Sequence, residues 1–544
     1  MHRLLNRQPS TTAACTASLN AVRFANMSSR KVLPDISSNN GLSWKVFRDD
    51  AHKLIDHIAD RHEAAEAAVT GSLCEPLVGG HWSGKADLSG MERVLEDCAA
   101  TSRSTHDPPT TSPFSSVVED VQSISSGLID WQSKGFMSFF PGQLSPAAML
   151  GELLALSYNH AGFAWSTCPA STELEFRVVN TMGRLLGLPA AFATSADSSG
   201  GGSIHPNATE GLLVAMIAAR DEKKRLLALN QGQAGTSSFP FTCYTSDQSH
   251  FSVEKACKMA GGITLRKVKT ILDPRCENYP LHPTTLEEMI VEDMMNGQIP
   301  LMIVGTVGTT ATCAIDPTRQ LASIAKNAGA WLHIDAAYAG AAALCPELRP
   351  IVFDGIELCD SVSVNGSKWM AMSMGCSFFF TQHLSLITKA LSCGASYVPQ
   401  PPPGVHDLKD VSIGMARPWT SLKVYSVLRC VGVDALQGMI RRHVILAEYL
   451  DAKLRAHPSI DCVVRPVLGL VVFRVRMLSD ESNAELQRRL SAHRNILVGA
   501  SRVDTRFVLR VSLAHIHLTY DDVDNIYIAI SEELKKFEST AHVQ

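Results

Sequence analysis

The sequence predicts an α/β protein with a mainly parallel sheet flanked by helices, and three observations carry that prediction. From residue 147 onward, helical segments alternate with short apolar strands, the pattern of a sheet covered on both faces. The residues capable of chemistry cluster where those strands end, which is where open α/β sheets bind ligands. After a proline-rich run, 397–404, the pattern changes to long helices followed by a smaller α+β unit.

Taken in order, the first 34 residues hold Arg3, Arg7, Arg23, Arg30 and Lys31, with no acidic residue before Asp35. That composition matches an organellar transit peptide or a disordered basic tail, so residues 1–40 are set apart. Residues 44–69 have apolar side chains at helical spacing, and 99–116, rich in Ser, Thr and Pro, reads as a linker. Residues 41–144 are therefore expected as a helical N-terminal segment. A large domain, 145–420, follows, with helices at 147–158, 174–186 and 321–328. Its strands are expected at 241–245, 301–304, 331–334, 361–364 and 376–380. The small domain, 421–544, has helices at 421–431, 436–454 and 521–537 and strands at 468–475 and 507–512.

Bulk composition excludes several classes. A net charge of −4 with 19% charged residues offers no electrostatic footprint for nucleic acid. No apolar run reaches the roughly 18 residues that span a bilayer. The 14 cysteines include no C-x-x-C pair, so neither a zinc site nor a disulfide framework is expected, and reduced thiols in an intracellular protein fit better.

The chemistry centres on Lys368, in Ser363-Val364-Asn365-Gly366-Ser367-Lys368-Trp369, and on Asp335, 33 residues earlier (368 − 335), at the end of His333-Ile334-Asp335-Ala336-Ala337. A carboxylate closing an apolar strand needs a cationic partner. A lysine in a small-residue turn beside it completes the layout of a pyridoxal 5'-phosphate site. The amine holds the cofactor aldehyde as a Schiff base, and the acid keeps the pyridine nitrogen protonated. Gly200-Gly201-Gly202-Ser203 leads through Asn207 into a helix starting at Ala208 and Thr209. Its free N–H groups suit a phosphate or simply mark a capped helix. Asn365 is placed to reach the same phosphate. His250 follows a strand and is either a ring-stacking residue or a structural histidine. Thr309, after Gly308, is a cofactor contact or part of a turn.

Together these runs resemble the group II pyridoxal-phosphate decarboxylases, and their aromatic amino acid branch most. The resemblance spans roughly 44–534 and includes Phe139-Phe140-Pro141, Gly162-Phe163-Ala164-Trp165, Cys168 to Glu175, Ser246 to His250, Gly308-Thr309-Thr310, Asp335 to Gly340, Cys345-Pro346-Glu347-Leu348-Arg349 and Ser421-Leu422-Lys423. It implies a fold-type I homodimer with active sites at the subunit interface and, by family default, in the cytoplasm. A mitochondrial or plastid address through residues 1–34 is the alternative. By position, Lys368 is the Schiff-base lysine, Asp335 the partner of the pyridine nitrogen, and His250 the stacking and substrate-contacting residue. Ala208, Thr209 and Asn365 hold the phosphate end, with Thr309 alongside. Gly142 contacts substrate, and Trp131, Phe139 and Phe163 line the side-chain pocket.

The implied activity is decarboxylation of an L-amino acid, of phenylalanine, tyrosine or tryptophan type, to the amine. Two departures stand out. Ser367 replaces the family's usual histidine, and between Tyr397 and Tyr425 no tyrosine occurs where the family carries one on a mobile loop to protonate the substrate carbon. An ungapped match back from Ile413 puts Leu408 there. His406 or water is then the proton source, or the chain is an aldehyde synthase yielding aldehyde, ammonia and hydrogen peroxide. An aminotransferase of the same fold type and a non-catalytic relative are the remaining readings.

Overall fold

The computed structural model describes residues 131–541 except 196–197, 232–238, 395, 397, 403, 477 and 495, with a few isolated positions before 131. The transit-like tail, the linker at 99–116 and most of the helix expected at 44–69 lie outside the described residues.

Among the described residues, eight of twelve strands precede the proline-rich run: β1 (Phe136–Met137), β2 (Gly201–His205), β3 (Phe241–Ser246), β4 (Ile263–Val268), β5 (Ile299–Thr306), β6 (Trp331–Asp335), β7 (Ser361–Asn365) and β8 (Ser377–Thr381). Strands β2 to β8 form one sheet in the order β2-β8-β7-β6-β5-β3-β4. Its core is parallel from β4 through β7, and β8 and β2 run antiparallel at one edge. The helices that cover it are α1 (Pro146–Tyr158), α2 (Pro169–Leu185), α3 (Ala208–Gln231), α4 (Ser252–Ala260), α5 (Pro283–Met295), α6 (Thr318–Ala328) and α7 (Leu384–Leu391). This is the predicted mostly parallel α/β architecture.

Local chemistry sets these elements. Ser145 caps α1 by accepting from Ala148 N, and Pro146 fills the first position, where no amide hydrogen is needed. Gly329 at φ 60° ends α6. Strand β6 is buried at every position, as a strand covered on both faces must be, so it reads WLHI without polar alternation.

One element corrects the sequence reading. The glycine run expected as a phosphate loop is the buried strand β2 instead. A Cβ on Gly202 would lie 2.4 Å from Phe379 O, and one on Gly200 1.7 Å from Ala191 O. The glycines permit close backbone packing, and the turn toward α3 falls later, at Pro206 and Asn207.

The second sheet has the order β1-β11-β12-β10-β9, with β9 (Ile460–Cys462), β10 (Leu470–Val475), β11 (Leu497–Val503) and β12 (Arg506–Ser512). Helices α8 (Thr420–Cys430), α9 (Val433–Ala456), α10 (Asp480–Arg494) and α11 (Tyr520–Ala541) complete this half. Strand β1, though it precedes the large domain in sequence, pairs parallel with β11 through Phe136 and Met137. Among the described residues, no helix is long and apolar enough to cross a membrane.

Candidate active site

A cavity of about 150 Å³ opens where β5, β6 and β7 end and α3 and α4 begin. Its wall includes Asp335, His250, Lys368, Asn365, Ala208 and Thr209. Six residues singled out in the sequence thus meet at the carboxyl ends of the central strands.

Asp335 is buried at the end of β6. Its Oδ1 accepts from Ala337 N at 3.0 Å, and among the described residues it has no ion-pair partner. Lys368 sits in a short helical turn, Gly366–Trp369, directly after β7. Burial lowers its pKa, Asp335 pulls it back up, and Arg510 lowers it again. A buried carboxylate without a direct ion pair among the described residues and an amine whose charged form is destabilised by burial are the donor set that pyridoxal phosphate requires.

His250 follows β3 and faces the cavity. Its Nδ1 accepts from Ser252 N at 3.2 Å, which leaves the proton of a neutral ring on Nε2. Burial lowers its pKa; Asp335 opposes this and Lys368 adds to it. A neutral imidazole suits stacking on an aromatic ring. Asn207, Ala208 and Thr209 present the amino end of the 24-residue helix α3 to the same space. The partial positive charge there fits a phosphate. Asn365 caps the lysine turn, its Oδ1 accepting from Ser367 N at 3.0 Å. The residues present fit the cofactor at both its aldehyde and its phosphate end.

Other expectations fare differently. Thr309 is fully buried, its hydroxyl accepting from Ala314 N at 2.9 Å and meeting Thr312 at 3.2 Å. It belongs to the turn, and Thr306, Gly308 and Thr310 line the cavity instead. Gly142 does not line the cavity but packs on the lysine turn, where a Cβ would stand 2.1 Å from Ser367 O. Trp131 and Phe139 are 42% and 58% exposed and stack on each other at 5.5 Å. Phe139 adopts φ 58°, so it faces outward while its neighbour Phe140 enters the site. Phe163 is half-buried and does not line the cavity either. The expected aromatic pocket is therefore not formed within one protomer.

Leu408 is corrected as well. It is 1% exposed, within a 3-10 turn, and packs in the core with α3 and α7, so it does not occupy a mobile-loop position. His406 is half-buried, edge-on to Phe176 at 6.4 Å, and does not line the cavity.

Several residues in and behind the cavity wall escaped the sequence reading. Phe140 stacks on Tyr338 at 3.7 Å, and Tyr338 on Trp369 at 4.8 Å, giving the site an aromatic floor. Phe140 also carries two cations: Lys368 Nζ lies 5.7 Å and Arg510 Cζ 5.1 Å from its centroid. Arg510, on β12, lies behind Phe140 and outside the cavity lining; it is 3% exposed and, among the described residues, donates to two carbonyls, Ala311 O at 3.3 Å and Phe139 O at 3.4 Å. Burial holds its pKa down at about 10. Asp316 fixes the end of β5, accepting from Thr306 N and Leu281 N at 2.7 Å each.

The chain is similar to known proteins over most of its length. Residues 102–476 match the family profile described as the pyridoxal-dependent decarboxylase conserved domain. The chain is 33% identical to tryptophan decarboxylase 2 of Oryza sativa subsp. japonica, over 86% of this chain and 90% of that protein. It is 32% identical to phenylacetaldehyde synthase of Arabidopsis thaliana, over 86% and 91%. The crystal structure of an Oryza sativa enzyme titled TDC, with PLP and tryptamine, superposes with a TM-score of 0.76 at 30% identity, covering 91% of this chain and 99% of that one.

Proposed function

Because the chain belongs to the pyridoxal-dependent decarboxylase family, we propose that it removes the α-carboxylate of an aromatic L-amino acid and releases the amine. It is a carboxy-lyase that uses pyridoxal 5'-phosphate. The observation that carries the reading is the meeting of Asp335 and Lys368 in one cavity, beside the amino end of α3.

When bound, the cofactor supplies an electron sink for the pair left by departing carbon dioxide. The chain's own residues do the rest. Lys368 would hold the cofactor through its amine. Asp335, buried and without another cation, keeps a proton on the ring nitrogen. Asn207, Ala208, Thr209 and Asn365 would hold the phosphate, and His250 would face the ring as a neutral imidazole. Arg510 offers a guanidinium to the substrate carboxylate, with the Phe140–Tyr338 floor keeping water from that pair. Relatives that act on tryptophan, or are named for phenylacetaldehyde, support an aromatic substrate. A homodimer fits the exposed apolar side chains Trp131 and Phe139, which a partner would cover.

The product turns on the protonating residue. Burial of Leu408 removes the reason for regarding the loop tyrosine as lost. Tyr397 opens the proline-rich run and lies outside the described residues; we assign the proton transfer to it, which favours the amine over the aldehyde. The test is a panel of phenylalanine, tyrosine and tryptophan, with carbon dioxide, amine and peroxide all measured. Amine matching carbon dioxide one for one is expected, and Tyr397→Phe should shift product toward peroxide. Stoichiometric peroxide from the unaltered enzyme favours the aldehyde-synthase reading.

A further inference from the structure

Resting on the assignment of Lys368 as the cofactor-binding lysine, we propose that Lys423 is a positioning residue for it, acting through Ser367 and the turn Met370–Gly375. Lys423 lies on α8 with its side chain only 2% exposed. Its ammonium donates to Met374 O at 2.8 Å and Ser373 O at 3.3 Å, and reaches Glu152 Oε1 at 3.5 Å. A buried ammonium is costly unless its hydrogens are used. Here two of its three partners are carbonyls of the turn that leads out of the Lys368 helix.

That turn does not hold its shape by local preference. Ala371 stands at φ 55° and Gly375 at φ 83°, and for alanine the left-handed region is unfavourable. External contacts fix it. Ser145 donates to Ala371 O through its amide at 3.1 Å and its hydroxyl at 2.7 Å, and Ser373 Oγ donates to Glu152 Oε2. The link back to the lysine is Ser367, whose hydroxyl donates to Ser373 O at 2.9 Å and accepts from Cys376 N at 3.1 Å. Ser373 O thus receives one hydrogen from Lys423 and another from the residue adjoining Lys368. The serine found where the family usually has histidine turns its side chain into this network.

The test uses holoenzyme carrying Lys423→Met, Lys423→Arg or Ser367→Ala. None of them alters the charges facing Lys368, which are Asp335, His250 and Arg510. Three readouts apply: the pH midpoint of the visible band of bound cofactor, the separate values of kcat and KM, and the residue marked by borohydride reduction. Lys423→Met and Ser367→Ala should move the midpoint in the same direction by about half a pH unit or more. In both, kcat should fall about tenfold with KM within about twofold, as expected when a reacting group is misplaced. Lys423→Arg should lie between these and the unaltered enzyme. Midpoints unmoved in both variants, with Lys368 marked, overturn the positioning role alone. A mark on another residue overturns the assignment of Lys368 itself. If Lys423→Met does not fold, Ser367→Ala decides: an unmoved midpoint there overturns the proposal.

Discussion

Two cations share the face of one phenylalanine, and they do different work. Lys368 has Asp335 within electrostatic reach, whereas Arg510, among the described residues, has two carbonyls and no carboxylate as partners. Lys368→Ala should abolish carbon dioxide release and leave purified protein without the visible cofactor band; retention of that band would refute the assignment. Arg510→Met should raise KM for the amino acid about 10- to 100-fold, the worth of a charge-assisted hydrogen bond. Binding of the product amine, which lacks the carboxylate, should stay nearly constant, and equal losses for both would contradict the role. Lys368 and Asp335 were legible in the sequence because a charged residue amid apolar neighbours is anomalous in itself. Arg510 was not, since Phe507-Val508-Leu509-Arg510-Val511 reads as an ordinary strand with its arginine in solvent. Thr309 misled because a turn hydroxyl and a ligand hydroxyl look alike until partners are known.

Among the elements, the aromatic floor continues beyond the cavity into α9. Trp369 lies edge to edge with His443, the rings nearly parallel and their centroids 6.2 Å apart, and donates its indole N–H to His443 Nδ1 at 2.8 Å. His443 Nε2 in turn donates to His515 O at 3.0 Å. Both ring nitrogens are committed to the neutral form, and burial depresses this pKa to about 3 from an ordinary 6.5. The folded state therefore resists a proton that the unfolded chain accepts. The stability involved is complete above about pH 6.5 and is lost as pH falls toward 3; at pH 5 this one group accounts for about 2 kcal/mol. Thermal melts should show Tm dropping between pH 7.5 and pH 5. His443→Phe should melt lower at neutral pH but with a flatter acid slope; an unchanged slope would argue against His443 as the titrating group. Strand β4 and helices α5 and α7 went unmarked, whereas strands β3 and β5 to β8 were legible because apolar runs alternate with amphipathic ones. Strand β2 was not, because Gly200-Gly201-Gly202 has the composition of a loop and its strand identity comes from fitting against Phe379 and Ala191.

At the scale of the molecule, one flank gathers exposed apolar groups and buried polar atoms that lack partners. Leu156 and Tyr425 are 62% and 47% exposed. Close in sequence to Leu156, His160 Nε2 is buried without a hydrogen-bond partner among the described residues, as is Trp419 Nε1 just before α8. A second copy covering this flank would bury the first pair. Light scattering should give about twice the 58.9 kDa of one chain, and Leu156→Glu should shift it toward the monomer with loss of carbon dioxide release. A dimer undisturbed by that charge would place the contact elsewhere. The pairing of β1 with β11 has its own consequence for anyone dividing the gene. Met137 packs with Leu446 and Val498 in the core against the second sheet, and Leu497 N donates to Gly135 O at 2.8 Å. A recombinant piece starting near residue 421 would leave the β11 border without its neighbour, an invitation to aggregate, whereas supplying residues 131–144 as a separate peptide should restore solubility.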